Sequence, residues 1–333
     1  MKIMSVCRVY PTHRPGGMPF VTQDRAEALA KAGHEVHVVT TNHSERQSRF
    51  EQGVMVHYTL SPTQTWSAEF AAVCTSFARQ LCPDLIHLDS FDRKNLWWHG
   101  MKNVAITMHG FGMGAWLTRC NLADAAGRPR PEFPVLEIQE EVNALSKAKV
   151  VIGISKHEHR MLAEDYCLSR AKLVHNPIAP YFFDRPQTCA VPSYFISAAI
   201  SGQKERGFSQ AQKACRRAGK RFLPACHAQR RDMPARYDGA IALLLPTAYS
   251  QGFDLGVAEA RARGVPAIMS NVGSYAAERE DFDLLVRPLH VMDMVEAIKT
   301  MAATPPDREV VRLAAERHRP ERHIEAWLEA VAG

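Results

Sequence analysis

The sequence has no apolar run long enough to cross a bilayer. Its longest apolar stretches, at 150–154 and 240–246, fall far short of the roughly 18 residues that a transmembrane helix needs. The short apolar run at the start is interrupted by Arg8 and is too brief for the core of a signal peptide. These absences predict a soluble, cytoplasmic protein.

The chain also lacks the spacings typical of metal sites. Its eight cysteines include no Cys-x-x-Cys pair, and in 333 residues without a secretion signal this indicates reduced thiols. The run His157-Glu158-His159 does not place two imidazoles four residues apart on one helix face. We therefore expect no bound metal.

Three common enzyme motifs are missing or misplaced. No Gly-x-x-x-x-Gly-Lys-Ser/Thr occurs, which excludes a P-loop ATPase, and no Gly-x-Ser-x-Gly occurs, which excludes the usual α/β-hydrolase elbow. Gly110-x-Gly112-x-x-Ala115 fits a loosened dinucleotide fingerprint, but it follows the fifth predicted strand rather than the first. A dehydrogenase is therefore disfavoured.

Acidic residues are fewer than basic ones, at 35 against 41, which gives a formal net charge of +6. Much of the excess is clustered at 216–221, 230–231 and 317–322. A positive balance favours an anionic partner such as a nucleotide, a nucleic acid or an anionic membrane surface. A solvated basic face is the simpler interpretation of any one cluster.

Short apolar segments, rich in Val and Ile on both faces, alternate with helix-period segments along nearly the whole chain. This pattern predicts an α/β fold of two doubly wound, Rossmann-like domains facing across a cleft. A capping box at Ser155 and Glu158 opens one of the helices. The predicted strands are 3–9, 35–40, 54–58, 84–88, 104–108, 150–154, 194–198, 221–225, 240–245, 267–270 and 284–286. The other predicted helices are 21–31, 68–80, 132–146, 207–218, 255–263, 291–301 and about 307–331.

Glycine-rich or polar loops follow four of the predicted strands, beginning at Arg14, His109, Thr247 and Asn271. Ligands of open parallel sheets bind beyond the carboxyl ends of the strands, and backbone amides of glycine turns at helix starts bind phosphate. Each loop alone is most simply a tight turn. Four of them in one chain predict ligand binding at the strand ends.

At these loops the sequence resembles the GT-B glycosyltransferases of family 4, the retaining nucleotide-sugar enzymes. The best match is 244–274, LLPTAYSQGFDLGVAEARARGVPAIMSNVGS, which is similar to the family signature of Glu-Gly-Phe-Gly, a helix with Glu-Ala, Gly-x-Pro-Val and a closing glycine. The other matches, in chain order, are Pro-Gly-Gly at 15–17, AGHEVHVVTTN at 32–42, PDLIHLDS at 83–90, the histidine at 109, VVIGIS at 150–155 and Asn-Pro at 176–177.

The resemblance implies a domain organisation and a reaction. It implies an acceptor-side domain at 1–178, a linker at 179–192, a nucleotide-sugar-binding domain at 193–310 and a C-terminal helix at 311–333 that packs back toward the first domain. The implied activity is metal-independent, retaining transfer of a sugar from a UDP- or GDP-sugar to an acceptor hydroxyl. No further cofactor is expected.

The same resemblance assigns residues that contact the nucleoside and the sugar. Glu259 matches the second glutamate of the family's paired motif, which accepts hydrogen bonds from the ribose hydroxyls. Gln251 stands where the first glutamate contacts the transferred sugar, and Gly252 and Phe253 follow it in the motif. His109 matches the histidine that reaches the donor sugar near its anomeric centre.

The diphosphate is expected to lie against glycine turns and cations. Gly16 and Gly17 match the loop that lets the backbone approach the leaving phosphate. Lys204 matches the family's phosphate-binding lysine, but Ala199 stands where the family carries an arginine, so that Arg206 is the second candidate cation. Gly273 and Ser274 match the glycine turn beside the sugar and phosphates.

The acceptor stays open at this stage. One candidate is an envelope glycan or glycolipid, and the other is a hydroxymethylated pyrimidine in DNA, as in phage DNA modification, which the basic clusters favour and which requires base extrusion. Trp97 and Trp98 form a candidate acceptor platform or peripheral membrane edge, although buried helix aromatics are the simpler interpretation. A degenerate protein that binds nucleotide or sugar without turnover is the alternative, because Gln251 and Ala199 both depart from the family.

Overall fold

The computed structural model describes residues 1–14, 16–43, 47–93, 95–185, 191–199, 203–225, 228–250 and 252–333. The chain forms two compact units. The first comprises Met1–Phe111, Val135–Pro177 and Pro320–Gly333, and the second comprises Gly112–Pro134 and Ile178–Arg319. Each unit contains one sheet, so the fold is the predicted pair of Rossmann-like α/β units.

The first unit is built on a largely parallel sheet. Its strands are β1 (Lys2–Val6), β2 (Glu35–Thr40), β3 (Arg49–Glu51), β4 (Val54–Tyr58), β5 (Leu85–Asp89), β6 (Val104–Met108), β7 (Val150–Gly153) and β8 (Ala171–Leu173). They lie in the order β3-β4-β2-β1-β5-β6-β7-β8, and only β3 and β4 pair antiparallel. The six predicted strands of this half are confirmed. β3 and β8 have three residues each, too few to show a periodicity.

Two helices of the first unit begin after a serine whose side chain satisfies a free amide. Ser67 accepts a hydrogen bond from the Phe70 amide, and Ser155 accepts one from the Glu158 amide, as the predicted capping box requires. Glu158 in turn accepts from the Ile154 amide. The helices are α1 (Gly17–Lys31), α2 (Ala68–Leu81), α4 (Val135–Leu145), α5 (Lys156–Arg160) and α12 (Pro320–Ala332).

The C-terminal helix α12 is part of the first unit because its apolar face is buried there. Ile324, Trp327 and Val331 lie on that face and belong to the same core cluster as Ile3 of β1 and Val38 of β2. The spacing of three and four residues is that of one stripe along a helix.

The second unit has a smaller sheet in which every pairing is parallel. Its strands, all predicted, are β9 (Tyr194–Ser197), β10 (Phe222–Pro224), β11 (Ala240–Leu245), β12 (Ala267–Ser270) and β13 (Leu284–Val286), in the order β10-β9-β11-β12-β13. Its helices are α3 (Gly112–Ala125), α6 (Phe208–Arg217), α7 (Met233–Asp238), α8 (Leu255–Ala262), α9 (Gly273–Ala277), α10 (Val291–Ala303) and α11 (Arg308–Leu313).

Some elements differ from the sequence-based expectation. The run predicted at 307–331 is two helices, because α11 ends at Leu313 and Pro320 opens α12. The helix predicted at 132–146 begins only at Val135, after Pro134. Helix α3 was not predicted, since Gly112 and Gly114 weaken its pattern, and it packs with the second unit although it lies within 1–178.

Candidate functional site

The first sheet reverses its strand order at β1, which pairs with β2 on one side and with β5 on the other. Such a switch point creates a crevice at the carboxyl ends of the two strands, where ligands of α/β proteins bind. Asp89 is the last residue of β5, and His109 directly follows β6, the next strand along the sheet. His109 was predicted at this edge from the sequence, and Asp89 was not.

Asp89 is fully buried and accepts hydrogen bonds from three side chains. Its Oδ1 lies 3.0 Å from Nε2 of His109, and its Oδ2 lies 2.8 Å from the Thr22 hydroxyl. Arg25, also buried, donates from Nη2 to both carboxylate oxygens at 2.5 Å. Burial by itself raises the pKa of Asp89, but the charge of Arg25 and the hydrogen bond from His109 are among the effects that outweigh burial. The pKa is therefore held well below its usual range, and Asp89 is a carboxylate.

Gly16 and Gly17 lie at the start of α1, after the carboxyl end of β1. Gly16 has an extended backbone with φ 172°, and a Cβ added there would meet the Pro19 ring at an ordinary 3.6 Å. The fold alone therefore does not require glycine at 16. A phosphate close to this backbone stays a prediction, and Pro15 of the same loop lies outside the described residues.

The second sheet has its own switch point at β9, which pairs with β10 and β11. Gly207 lies at this edge with φ +72°, and a Cβ added to it would lie 2.3 Å from the Pro246 carbonyl oxygen, directly after β11. Only glycine allows this turn to pack so closely against the end of the strand.

The two candidate phosphate-binding cations lie on the 3-10 turn Lys204–Arg206 that precedes Gly207. Arg206 is partly buried: it donates to Oδ2 of Asp254 at 3.2 Å and stacks over the Tyr249 ring, 4.2 Å from its centroid. Lys204 is exposed. The turn thus brings Arg206 against Tyr249 and Asp254, which follow β11. Ala199, the position where the family carries arginine, is buried near the end of β9.

Gly273 and Ser274 open α9 directly after β12. Gly273 has φ +47°, and a Cβ there would lie 2.2 Å from the Ser250 carbonyl oxygen. Ser274 is fully buried. The predicted glycine turn is therefore a close backbone contact with the loop that follows β11, and it lies on the same edge of the sheet as Gly207.

Glu259 lies on α8, the helix that follows this loop, and is buried. Its Oε1 accepts a hydrogen bond from Arg230 Nε at 3.0 Å. Burial raises the pKa of Tyr237 well above its ordinary value, and the charge of Glu259 adds to that effect. The sequence analysis predicted Glu259 and noted Arg230 only as part of a basic pair.

The rest of the family motif lies around the start of α8. Gly252 has φ +70°, a conformation that favours glycine, and Phe253 stacks on His318 with ring centroids 5.7 Å apart. Asp254 caps α8 by accepting from the Gly256 amide at 2.9 Å. Gln251, the predicted sugar-contacting residue, lies outside the described residues.

Helix α3 holds the loop that enters this motif. The Thr118 hydroxyl accepts a hydrogen bond from the Ser250 amide at 3.0 Å, and Asn121 donates to the Ala248 carbonyl at 3.0 Å and to the Ser250 hydroxyl at 2.6 Å. These contacts join residues about 130 positions apart, with a sequence separation of 132 for Thr118 and Ser250. A sequence pattern carries no signal for them.

Two further observations concern the described residues only. Within these ranges, no three His, Cys, Asp or Glu side chains come together in a way that could hold a metal ion. None of the helices in the described part of the chain combines the length and the apolar character that spanning a membrane demands.

Known protein families and solved structures include several that resemble this chain. The profile described as Glycosyltransferase Family 4 matches residues 15–180. This segment belongs to glycosyltransferase family 4. Comparison with curated protein sequences gives no match.

Solved structures that resemble the chain have the GT-B fold, which consists of two Rossmann-like domains. Sucrose-phosphate synthase from Thermosynechococcus elongatus is 17% identical, with a TM-score of 0.72 over 99% of this chain and 96% of that one. HepE from Anabaena, in complex with UDP and glucose, is 14% identical, with a TM-score of 0.69 over all of both chains. WaaG, a glycosyltransferase involved in lipopolysaccharide biosynthesis, is 13% identical, with a TM-score of 0.63 over 99% and 98%. At these identities the likeness shows the fold.

Proposed function

We propose that the protein is a retaining glycosyltransferase that moves a sugar from a nucleoside diphosphate sugar to an acceptor hydroxyl. The observation that carries this proposal is the carboxyl edge of the second sheet. At this edge the turns at Gly207 and Gly273 each pack against a backbone carbonyl after β11, and Arg206 lies beside the loop that leads to Glu259. The structurally similar HepE was solved with UDP and with UDP-glucose, which supports a UDP-sugar as the first donor to test.

Each part of this edge has a role in the proposal. Glu259 accepts hydrogen bonds from the ribose hydroxyls, while Arg206 and Lys204 balance the charge of the diphosphate. The amides around Gly273 and Ser274, and those of Gly16 and Gly17, bind the phosphates. Gln251, Gly252, Phe253 and His109 contact the transferred sugar.

The chemical step follows from the charge that develops on the leaving diphosphate. Preorganised donors stabilise that charge best, because they need no rearrangement as it appears. We propose that Arg206, Lys204 and backbone amides do this without a metal ion. The leaving phosphate then removes the proton of the acceptor hydroxyl on the same face of the sugar, so that configuration is retained and no protein nucleophile is needed.

For the acceptor we propose an envelope glycan or glycolipid. The support is the structural likeness to WaaG, whose stated role is in lipopolysaccharide biosynthesis. The competing acceptor is hydroxymethylated DNA, for which the support is a run of exposed cations at the end of α6. DNA binding by such cations releases counterions and falls steeply with salt. Duplex binding that is absent, or flat with salt, removes the DNA acceptor.

The decisive experiment incubates the protein with UDP- and GDP-sugars and candidate acceptors, with and without a chelator. Release of nucleoside diphosphate measures turnover, and mass spectrometry of the acceptors identifies the product. We expect diphosphate release and a mass increase of one sugar that survive chelation. Loss of activity with the chelator would contradict only the metal independence and would leave the proposed sugar transfer standing.

The alternative is a degenerate glycosyltransferase that binds nucleotide or sugar without turnover. The buried Ala199, where the family carries arginine, favours it. Nucleotide binding without diphosphate release for any donor would establish this alternative.

The role of Gln251 is tested with Gln251→Glu, which restores the glutamate that the family carries at this position. A changed ranking of donor sugars with unchanged affinity for bare UDP would assign Gln251 to sugar recognition.

A further inference from the structure

We infer that Asp89 is a positioning residue that fixes the tautomer of His109, so that Nδ1 of this histidine is presented to the sugar as a hydrogen-bond acceptor. This inference rests on the proposed function, because it deepens the role of His109 there. It predicts that the hydroxyl recognised by His109 donates its hydrogen to the imidazole.

The hydrogen bond between the two residues has only one possible direction. Asp89 is ionised, and a carboxylate can only accept hydrogen bonds. Nε2 of His109, 3.0 Å from Asp89 Oδ1, must therefore carry a hydrogen. In the neutral imidazole the other nitrogen, Nδ1, then has a free lone pair.

A buried carboxylate beside a histidine ordinarily favours the imidazolium. Here Arg25 already pairs with Asp89 through both carboxylate oxygens and is itself buried. Because the guanidinium balances the carboxylate, the hydrogen bond from His109 orients the imidazole and is not needed to neutralise Asp89.

Asp89 has no direct role in binding. Its side chain is 0% exposed, and Arg25, Thr22 and His109 occupy its oxygens. His109 keeps 8% of its side chain exposed, and its hydrogen bond to Asp89 uses Nε2 and leaves Nδ1 on the other side of the ring. The imidazole is therefore the part of this cluster that can contact a ligand.

The test observes the tautomer directly in the unliganded protein. The chain is labelled with 15N at histidine, and the His109 signals are assigned by their loss in His109→Gln. We expect the Nε2–H form in the wild type. In Asp89→Asn, Arg25 retains the amide oxygen and the amide N–H faces Nε2, so that His109 changes to the Nδ1–H form, as an Asp→Asn change does beside a triad histidine.

Thr22→Val is the matched control, because it removes a donor to Asp89 without touching His109, and it should keep the wild-type tautomer. If Asp89→Asn fails to fold because it leaves the Arg25 charge unbalanced, the double variant Arg25→Gln/Asp89→Asn removes that charge and is measured instead. An Nδ1–H tautomer in the wild type, or an unchanged tautomer in folded Asp89→Asn or in the double variant, would overturn the inference.

Kinetics separate this inference from the proposed function. With an active donor, Asp89→Asn should lower kcat about 10–100-fold, the range seen when a carboxylate that orients a metal-ligating histidine is removed, while affinity for bare UDP stays unchanged. A donor with fluorine in place of the recognised hydroxyl can accept but not donate, so it should be transferred as poorly as the deoxy donor. If the wild type transfers no sugar, the proposed function fails and the tautomer measurement still decides the role of Asp89.

Discussion

Arg230 Nε donates a hydrogen bond to Glu259 Oε1 across 3.0 Å, with side chains that are only 11% and 9% exposed. The pair lies on the second unit, where the nucleotide is proposed to bind. The carboxylate is therefore oriented before any ligand arrives, which reduces the entropy lost when it binds ribose.

This relationship gives the first prediction, that Glu259→Ala weakens nucleotide binding. Losing hydrogen bonds to a charged acceptor costs about 1.5–3 kcal/mol, which corresponds to a loss of affinity of roughly tenfold or more. Calorimetric titration with UDP and GDP measures it. Arg230→Gln breaks the same ion pair but keeps the acceptor, so it should weaken binding less. Equal losses in the two variants would assign the effect to the ion pair rather than to ribose.

The second prediction compares two glycines that flank α6. Gly207 and Gly219 have similar positive φ values, +72° and +65°, but only Gly207 has a close neighbour, since a Cβ at Gly219 meets nothing within 4 Å. Gly219→Ala should lower the free energy of unfolding by about 1–2 kcal/mol, because alanine is strained at a positive φ. Gly207→Ala should lower it by about 1–3 kcal/mol more, because the methyl group also overlaps the Pro246 carbonyl. Urea unfolding measures both variants, and equal costs would contradict the contact.

What the sequence could predict here depends on how far apart the interacting residues are in the chain. Glu259, Gly252 and Gly273 belong to one segment of 31 residues, 244–274, whose order and spacing are visible as a motif. The alternation of apolar segments likewise predicts every strand of the second sheet, because each strand is a local pattern.

Contacts between distant segments were not predictable in this way. Arg25 and Asp89 are 64 positions apart, and Asn121 and Ser250 are 129 positions apart. No local pattern marks such pairs, and Asp89 carried only the weak signal of an acid at the end of a predicted strand. The break between α11 and α12 lies inside a run that was predicted as one helix, and Pro320, which opens α12, is the local signal for it.

The third prediction concerns the contact between α3 and the loop after β11. Thr118→Val removes the acceptor of the Ser250 amide, and an unsatisfied buried amide costs about 1–3 kcal/mol. Thr75→Val on α2 is the matched control, because both hydroxyls donate to the carbonyl four residues earlier and only Thr118 also accepts from another segment. Thermal or urea unfolding should therefore show a larger loss for Thr118→Val. If the Ser250 contact positions the motif, Thr118→Val should also lower the rate of sugar transfer more than Thr75→Val does.

The last prediction is a pH dependence of stability that arises at His323 on α12. Its Nδ1 lies 2.7 Å from the His175 carbonyl oxygen, and burial, with a smaller contribution from Arg25, lowers its pKa to about 3. An unfolded histidine has a pKa of about 6.5, so between these values the unfolded chain binds the extra proton. The contribution of neutral His323 to the free energy of unfolding is therefore fully present above pH ~6.5. It falls by up to about 1.4 kcal/mol per pH unit as the pH drops toward the folded pKa.

His323→Asn keeps a donor for His175 but cannot titrate. We expect it to be less stable than the wild type at pH 8, with a slope of unfolding free energy between pH 6 and pH 4.5 that is shallower by about one proton. Chemical unfolding across this range, followed by the fluorescence of the buried tryptophans, measures the slope. Parallel curves for the two proteins would show that His323 is not the group that takes up the proton.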